Sequence, residues 1–218
     1  MQTFFLKQND TRSLTLFLLG WGMDERPVLP VAGKENVLFV YNYVSPELDF
    51  DFSPWTDIRL LAFSCGVFMA PYLAERLPEV KWAAAVNGVP DLFDEQKGMP
   101  ARTVDTFRRI GPDNYLVFRR EYLVETEDEF HRFNENQPLR TVEDSMAELE
   151  ALERYAQNPA PHAFRFDRVF AARGDQVIPL ENQRRSWGKV EEIEGNHFVF
   201  YRYPPAFFLR PGNGEHKA

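Results

Sequence analysis

The sequence predicts an α/β fold: a mostly parallel central sheet flanked by helices, with a helical insert. Near-continuous apolar runs of strand length recur towards both ends of the chain, as in strands buried on both faces. Helix-length stretches separate them, as parallel crossovers require. About 75 residues, 91–163, break the pattern with many charges and few β-branched runs. The chain of 218 residues is long enough for one sizeable domain, 1–218, with the insert inside it.

Taken in order, Thr3–Lys7 is a candidate edge strand, and Leu14–Leu19 is the first clear strand, ending in Gly20-Trp21-Gly22. Asn36–Tyr43 is the next. Ile58–Phe63 leads into Ser64, and Val67–Leu77 reads as the following helix. Lys81–Asn87 is a further strand, closed by Gly88-Val89-Pro90. Within the insert, Arg102–Ile110 reads as a helix stopped by Gly111-Pro112. Residues 141–157 read as a second helix, with Val142, Met146, Leu149 and Tyr155 near one face and a capping-box-like Thr141/Asp144 pair. Asn158-Pro159-Ala160-Pro161 ends it. Residues 166–172 and 189–193 supply the last two strands.

Composition narrows the function. A hydrophobic content of 44% suits a globular core. A single cysteine excludes a disulfide framework and points to a reducing compartment, hence the cytoplasm. The apolar run Leu14–Leu19 is too short to span a bilayer, so no membrane partner is expected. A net charge of −8 disfavours nucleic acid. No Cys/His cluster has zinc-ligand spacing.

The chemistry centres on Ala62-Phe63-Ser64-Cys65-Gly66. A serine at a sharp strand-to-helix turn, with a small residue two places to each side, is the nucleophile elbow of the α/β-hydrolase fold. Cys65 is a rival nucleophile, but its positions two either way are Phe63 and Val67, too large for the turn. A serine nucleophile needs a base and an orienting acid, in the order Ser, Asp, His. His197, just past the last strand, is the candidate base. His131 lies in the insert, His162 in a Pro-rich linker and His216 in a polar tail. Asp175, leaving strand 166–172 through Arg173-Gly174, is the candidate acid, whereas Asp167 sits at the wrong end of that strand. Two backbone N–H donors are needed for an oxyanion hole. Cys65 and Trp21, the latter in Gly20-Trp21-Gly22, are the candidates.

With these residues in place, the chain resembles the BioG-type pimeloyl-[acyl-carrier protein] methyl ester esterases. The resemblance rests on Phe17–Asp24, Ala62–Val67, Asn87–Pro90, Gly174–Pro179 with Asn182-Gln183 and Trp187, and His197-Phe198. It implies a serine carboxylesterase of biotin biosynthesis, acting on an acyl carrier protein that bears a pimeloyl methyl ester, with no metal or organic cofactor. Leu19 stands where related esterases often carry a His before Gly-Trp-Gly. A thioesterase with the same triad and a non-catalytic hydrolase-like binding module are the alternatives.

An acidic carrier needs basic ground. Residues 96–120 hold six basic residues against Asp105 and Asp113, a balance of +4, while 121–154 stand at −8. Arg108, Arg109, Arg119 and Arg120 are therefore the candidate carrier- and phosphate-docking patch. Phe107, Tyr115, Phe118 and Tyr122 are candidates for an acyl channel or for insert core.

Overall fold

The structure is a computed structural model describing residues 1–111, 114–158, 160 and 162–210, with Leu116 described in its backbone alone. Pro112, Asp113, Pro159, Pro161 and His216 of the sequence reading lie outside the described residues. Among the described residues, seven strands form one sheet: β1 (Gln2–Leu6), β2 (Ser13–Leu18), β3 (Val37–Tyr41), β4 (Asp57–Phe63), β5 (Trp82–Val86), β6 (Arg168–Ala172) and β7 (Glu191–Ile193). Their spatial order is β1-β3-β2-β4-β5-β6-β7. Only β1 runs antiparallel to its neighbour, and its exposed residues mark it as the edge.

The centre of the sheet follows from composition. Leu16, Phe17, Leu18, Leu60, Leu61, Ala62, Ala84, Ala85 and Val86 are buried, so β2, β4 and β5 have no solvent face along these residues. After β2 the chain crosses to β3 on one side, and then returns to β4 on the other. The loops leaving β2 and β4 diverge at this switch point, opening a crevice at the strands' carboxyl ends. Gly20-Trp21-Gly22 leaves β2 there, and Ser64 leaves β4.

Helix α1 (Cys65–Leu73) follows Ser64. It begins two residues earlier than the sequence suggests and ends four earlier, passing into a 3-10 turn at Ala74–Arg76. Pro71 lies inside this helix and offers no N–H to Val67 O, which weakens its last turn. The insert carries α2 (Ala101–Arg108), α3 (Tyr115–Phe118), a π-helical turn at Arg119–Leu123, α4 (Glu127–Glu135) and α5 (Val142–Ala156). The sequence reading missed α3, the π turn and α4. The full capping box belongs to α4, where Thr126 and Glu129 bond reciprocally; on α5, Thr141 accepts from the Asp144 N–H. The buried stripe of α5 is also rotated from expectation. Ser145, Glu148, Leu149 and Leu152 face inward, and Val142, Met146 and Tyr155 are half-buried. A polar stripe does not register as a core face when only apolar spacing is read.

Beyond β6 come α6 (Leu180–Trp187), β7 and α7 (Pro205–Phe208). Three ties fasten the insert to the sheet domain. The Phe198 N–H donates to Leu123 O at 2.7 Å, and Phe133 packs edge-on against Phe198. Asn182 of α6 donates to Glu95 O and Gly98 O. Residues of α5 reach the loop after β2.

Candidate active site

Ser64 sits at the β4–α1 junction with φ 55° and ψ −123°. A positive φ on a non-glycine residue costs of order 1–3 kcal/mol and persists only where packing enforces it. Here the Ser64 N–H is fixed by Val86 O at 3.0 Å, and α1 starts immediately after. The small residue at 66 has a direct cause. A Cβ on Gly66 would lie 2.4 Å from Leu18 O, so only glycine lets α1 approach β2 so closely.

The His197 Nε2 lies 2.9 Å from Ser64 Oγ, and His197 Nδ1 lies 3.0 Å from each oxygen of Asp175. With Nδ1–H donating to the carboxylate, Nε2 is left to accept from the serine hydroxyl. All three side chains are buried. Asp175 also accepts from the N–H groups of Val177 and Ile178 and from Gln183 Nε2. The His197 loop is held by two asparagines. Asn87 donates to His197 O at 2.6 Å and accepts from the Ala172 N–H, so it clamps β6 to the histidine loop. Asn196 Oδ1 accepts from the N–H groups of His197 and Gln176.

The structure thus brings together Ser64, Asp175 and His197, as the sequence suggests. Trp21 lines the chamber that also holds Ser64, and Cys65 follows Ser64 directly in the chain. Among the described residues neither backbone N–H donates to another protein group. The Cys65 thiol is buried, and burial pushes its pKa well up, away from a reactive thiolate. His131 pairs with Glu127 and His162 with Glu75, not with Ser64 or Asp175. Asp167, at the start of β6, accepts from the Ala83 N–H.

A chamber of about 20 Å³ lies over the serine, lined by Trp21, Met23, Phe107, Tyr115, Phe118 and Leu123 together with Ser64 and His197. Trp21 stacks on Phe107 with centroids 4.6 Å apart, and Phe118 stands edge-on to both. Tyr122 stacks on Phe118 and is not part of the chamber lining. A larger groove of about 640 Å³, between α1 and the end of the insert, includes none of the three clustered residues.

The four arginines do not form one patch. Arg119 is 1% exposed. It donates to Gln137 Oε1 and Asn134 Oδ1 and lies 4.0 Å over the Tyr115 ring. The expectation of a docking role for Arg119 is corrected: it is an internal pin of the insert, because the π turn and α4 wrap amides and rings around it. Arg108 is exposed and paired with Asp105 and Glu153, and Arg120 with Glu127. Arg109 is exposed, with no ion pair among the described residues.

Sequence reasoning gave no role to Gln183, Asn87, Glu148 or Arg140. For Asn87 a signal existed, in an Asn-Gly pair at a strand end; its φ is 46°. Among the described residues no group of three His, Cys, Asp or Glu side chains is arranged to hold a metal, and no helix is long and apolar enough to cross a membrane.

The profile of the family described as Pimeloyl-ACP methyl esterase BioG matches residues 1–206. The crystal structure of BioG from Haemophilus influenzae superposes with a TM-score of 0.85 at 28% identity, covering 96% of this chain and all of that one. A malonyl-[acyl-carrier protein] O-methyltransferase of Bacteroides fragilis is 30% identical over 194 residues. That match covers 84% of this chain but 39% of the relative, so the chain spans about two fifths of that protein's length. An α/β hydrolase fold protein from Burkholderia ambifaria (TM-score 0.58, 15% identity) shares the fold.

Proposed function

The chain belongs to the BioG family, and we propose that it is a serine esterase hydrolysing the methyl ester of pimeloyl-[acyl-carrier protein] in biotin synthesis. The observation that carries the proposal is the unbroken chain Ser64–His197–Asp175 at the floor of an apolar chamber. Family membership supplies the substrate class; the methyltransferase name belongs to a relative that extends well beyond this match.

In the proposed reaction the ester carbonyl sits beside Ser64 Oγ, which attacks it as His197 Nε2 takes the hydroxyl proton. Asp175 stabilises the resulting imidazolium and holds it in orientation. The Trp21 and Cys65 N–H groups receive the oxyanion. Collapse expels the methoxy group, which takes the proton from His197 and leaves as methanol. Water then gives a proton to His197 and attacks the acyl-enzyme, releasing the free carboxyl end and restoring Ser64. The sum is ester plus water giving acid plus methanol, with the thioester to the carrier intact.

Insert 91–163 acts as the cap. Its chamber is barely larger than the ~10–15 Å³ one water needs, so the Trp21, Phe107 and Phe118 rings part to admit the acyl chain. Exposed Arg109, with Arg108 and Arg120, receives the acidic carrier.

The test is incubation with pimeloyl-[acyl-carrier protein] methyl ester, following methanol and the mass of the carrier. The expected result is methanol and a carrier lighter by one CH2, lost with Ser64→Ala. Free carrier thiol would mean a thioesterase, and equal turnover by Ser64→Ala would overturn the mechanism. For docking, Arg109→Glu should raise KM for the carrier-bound ester several-fold, of order 1 kcal/mol, and leave p-nitrophenyl acetate hydrolysis unchanged.

A further inference from the structure

The turn that carries the Trp21 amide is shaped by a carboxylate from the insert. Gly20 O accepts from the Met23 N–H at 3.3 Å, closing a four-residue turn, and Gly22 at its third position has φ +66°. A positive φ there is the type II pattern. Types I and II differ by a flip of the central peptide, here Trp21–Gly22. The Gly22 N–H of that peptide donates to Glu148 Oε2 at 2.9 Å. A flip would turn the Trp21 carbonyl towards the carboxylate, oxygen against oxygen.

The remaining contacts fix the same turn. The Tyr43 N–H donates to Glu148 Oε1 at 3.0 Å, and the Tyr43 hydroxyl bonds Leu19 O, the carbonyl just before the turn. Arg140 Nη1 bridges Glu148 Oε2 and Met23 O. The Trp21 indole donates to Ser145 O, three residues from Glu148 on α5. Glu148 is 0% exposed and uses both oxygens. Peptide planarity sets the Trp21 N–H opposite the Gly20 carbonyl, so a turn closed on Met23 leaves that N–H on the other face.

We infer that Glu148 is a positioning residue for ester hydrolysis: by holding the Trp21–Gly22 peptide it fixes the turn that presents the Trp21 N–H to the oxyanion. This rests on the serine esterase reading. A carboxylate is required because two N–H donors converge on it. Glutamine has the same shape but offers one oxygen, and its NH2 would confront the other donor.

The experiment uses the full chain with p-nitrophenyl acetate and an alkyl trifluoromethyl ketone, whose adduct with Ser64 bears an oxyanion. In Glu148→Gln, kcat should fall about 10- to 100-fold with KM within about twofold. The ketone's Ki should rise by a similar factor. A purely structural anchor would lower thermal stability without moving Ki. Unchanged Ki, with or without a fall in kcat, overturns the inference. Should Glu148→Gln fail to fold, Glu148→Asp decides, since it keeps the charge and withdraws the carboxylate by one methylene from the Gly22 N–H. It should raise Ki about fivefold, equivalent to about 1 kcal/mol, and no change overturns the inference. If the wild-type protein itself is insensitive to the ketone, or Ser64→Ala retains full turnover, the esterase reading fails instead.

Discussion

Asp175 and Glu148 are both buried carboxylates, one at each side of the candidate site, and they are satisfied in different ways. Asp175 takes its donors from two, three, eight and twenty-two residues along the chain. Glu148 takes its backbone donors from residues 126 and 105 positions away. The first is a product of the loops after β6 and β7 and the helix between them. The second exists only once the insert has folded back onto the sheet. Asp175 is therefore held within the sheet domain, whereas the shape of the turn after β2 depends on docking of the insert. Burial raises the Glu148 pKa, against the pull of Arg140 and its two N–H donors. Its desolvation is a cost that the assembled insert sustains.

The comparison can be broken most forcefully at its local end. Asp175→Asn should preserve the fold around Val177 and Ile178 yet leave His197 in the wrong tautomer. A loss of about 10⁴-fold in kcat is expected, measured by steady-state hydrolysis, with a loss below tenfold contradicting the assigned role. At the insert end, Arg119→Ala removes a buried cation from Asn134, Gln137 and the Tyr115 ring. Urea unfolding should show a loss of about 3 kcal/mol. A change near zero would return Arg119 to the surface.

The smallest effect is a pH slope. Glu148 keeps its proton to higher pH in the folded chain than in the unfolded one, whose pKa is near 4.5. The folded state thus binds more protons between that value and the folded pKa, and stability falls as pH rises through the interval. Relative to Glu148→Gln, the wild-type protein should be most favoured below pH 4.5, with its lead shrinking as pH rises. Denaturant midpoints of the pair across pH measure this, and a lead that grows with pH would contradict the raised pKa.

Local chemistry was legible in the sequence. The central strands appear as apolar runs because their burial demands it, and strand ends were misjudged by a residue or two. Ser64 was marked by the small residues that its turn enforces, His197 and Asp175 by their places just past strands. What was missed lies in the insert. Arg119 looked like its exposed neighbours in a basic run, and only the wrapping of Asn134, Gln137 and Tyr115 took it inside. Glu148 looked like one more charge on an acidic helix, with the α5 stripe read from apolar spacing alone.

The sequence by itself determined the fold class, the order of the strands along the chain and the three residues that meet at the candidate site, because each is set by burial period or by steric demands within a few residues. Only the tertiary structure decided which charges of the insert are interior and which amide of the turn after β2 is tied down. For Glu148 this depends on contacts across more than a hundred residues and for Arg119 on partners 15 and 18 residues away, and nothing in local spacing records which polar groups will meet.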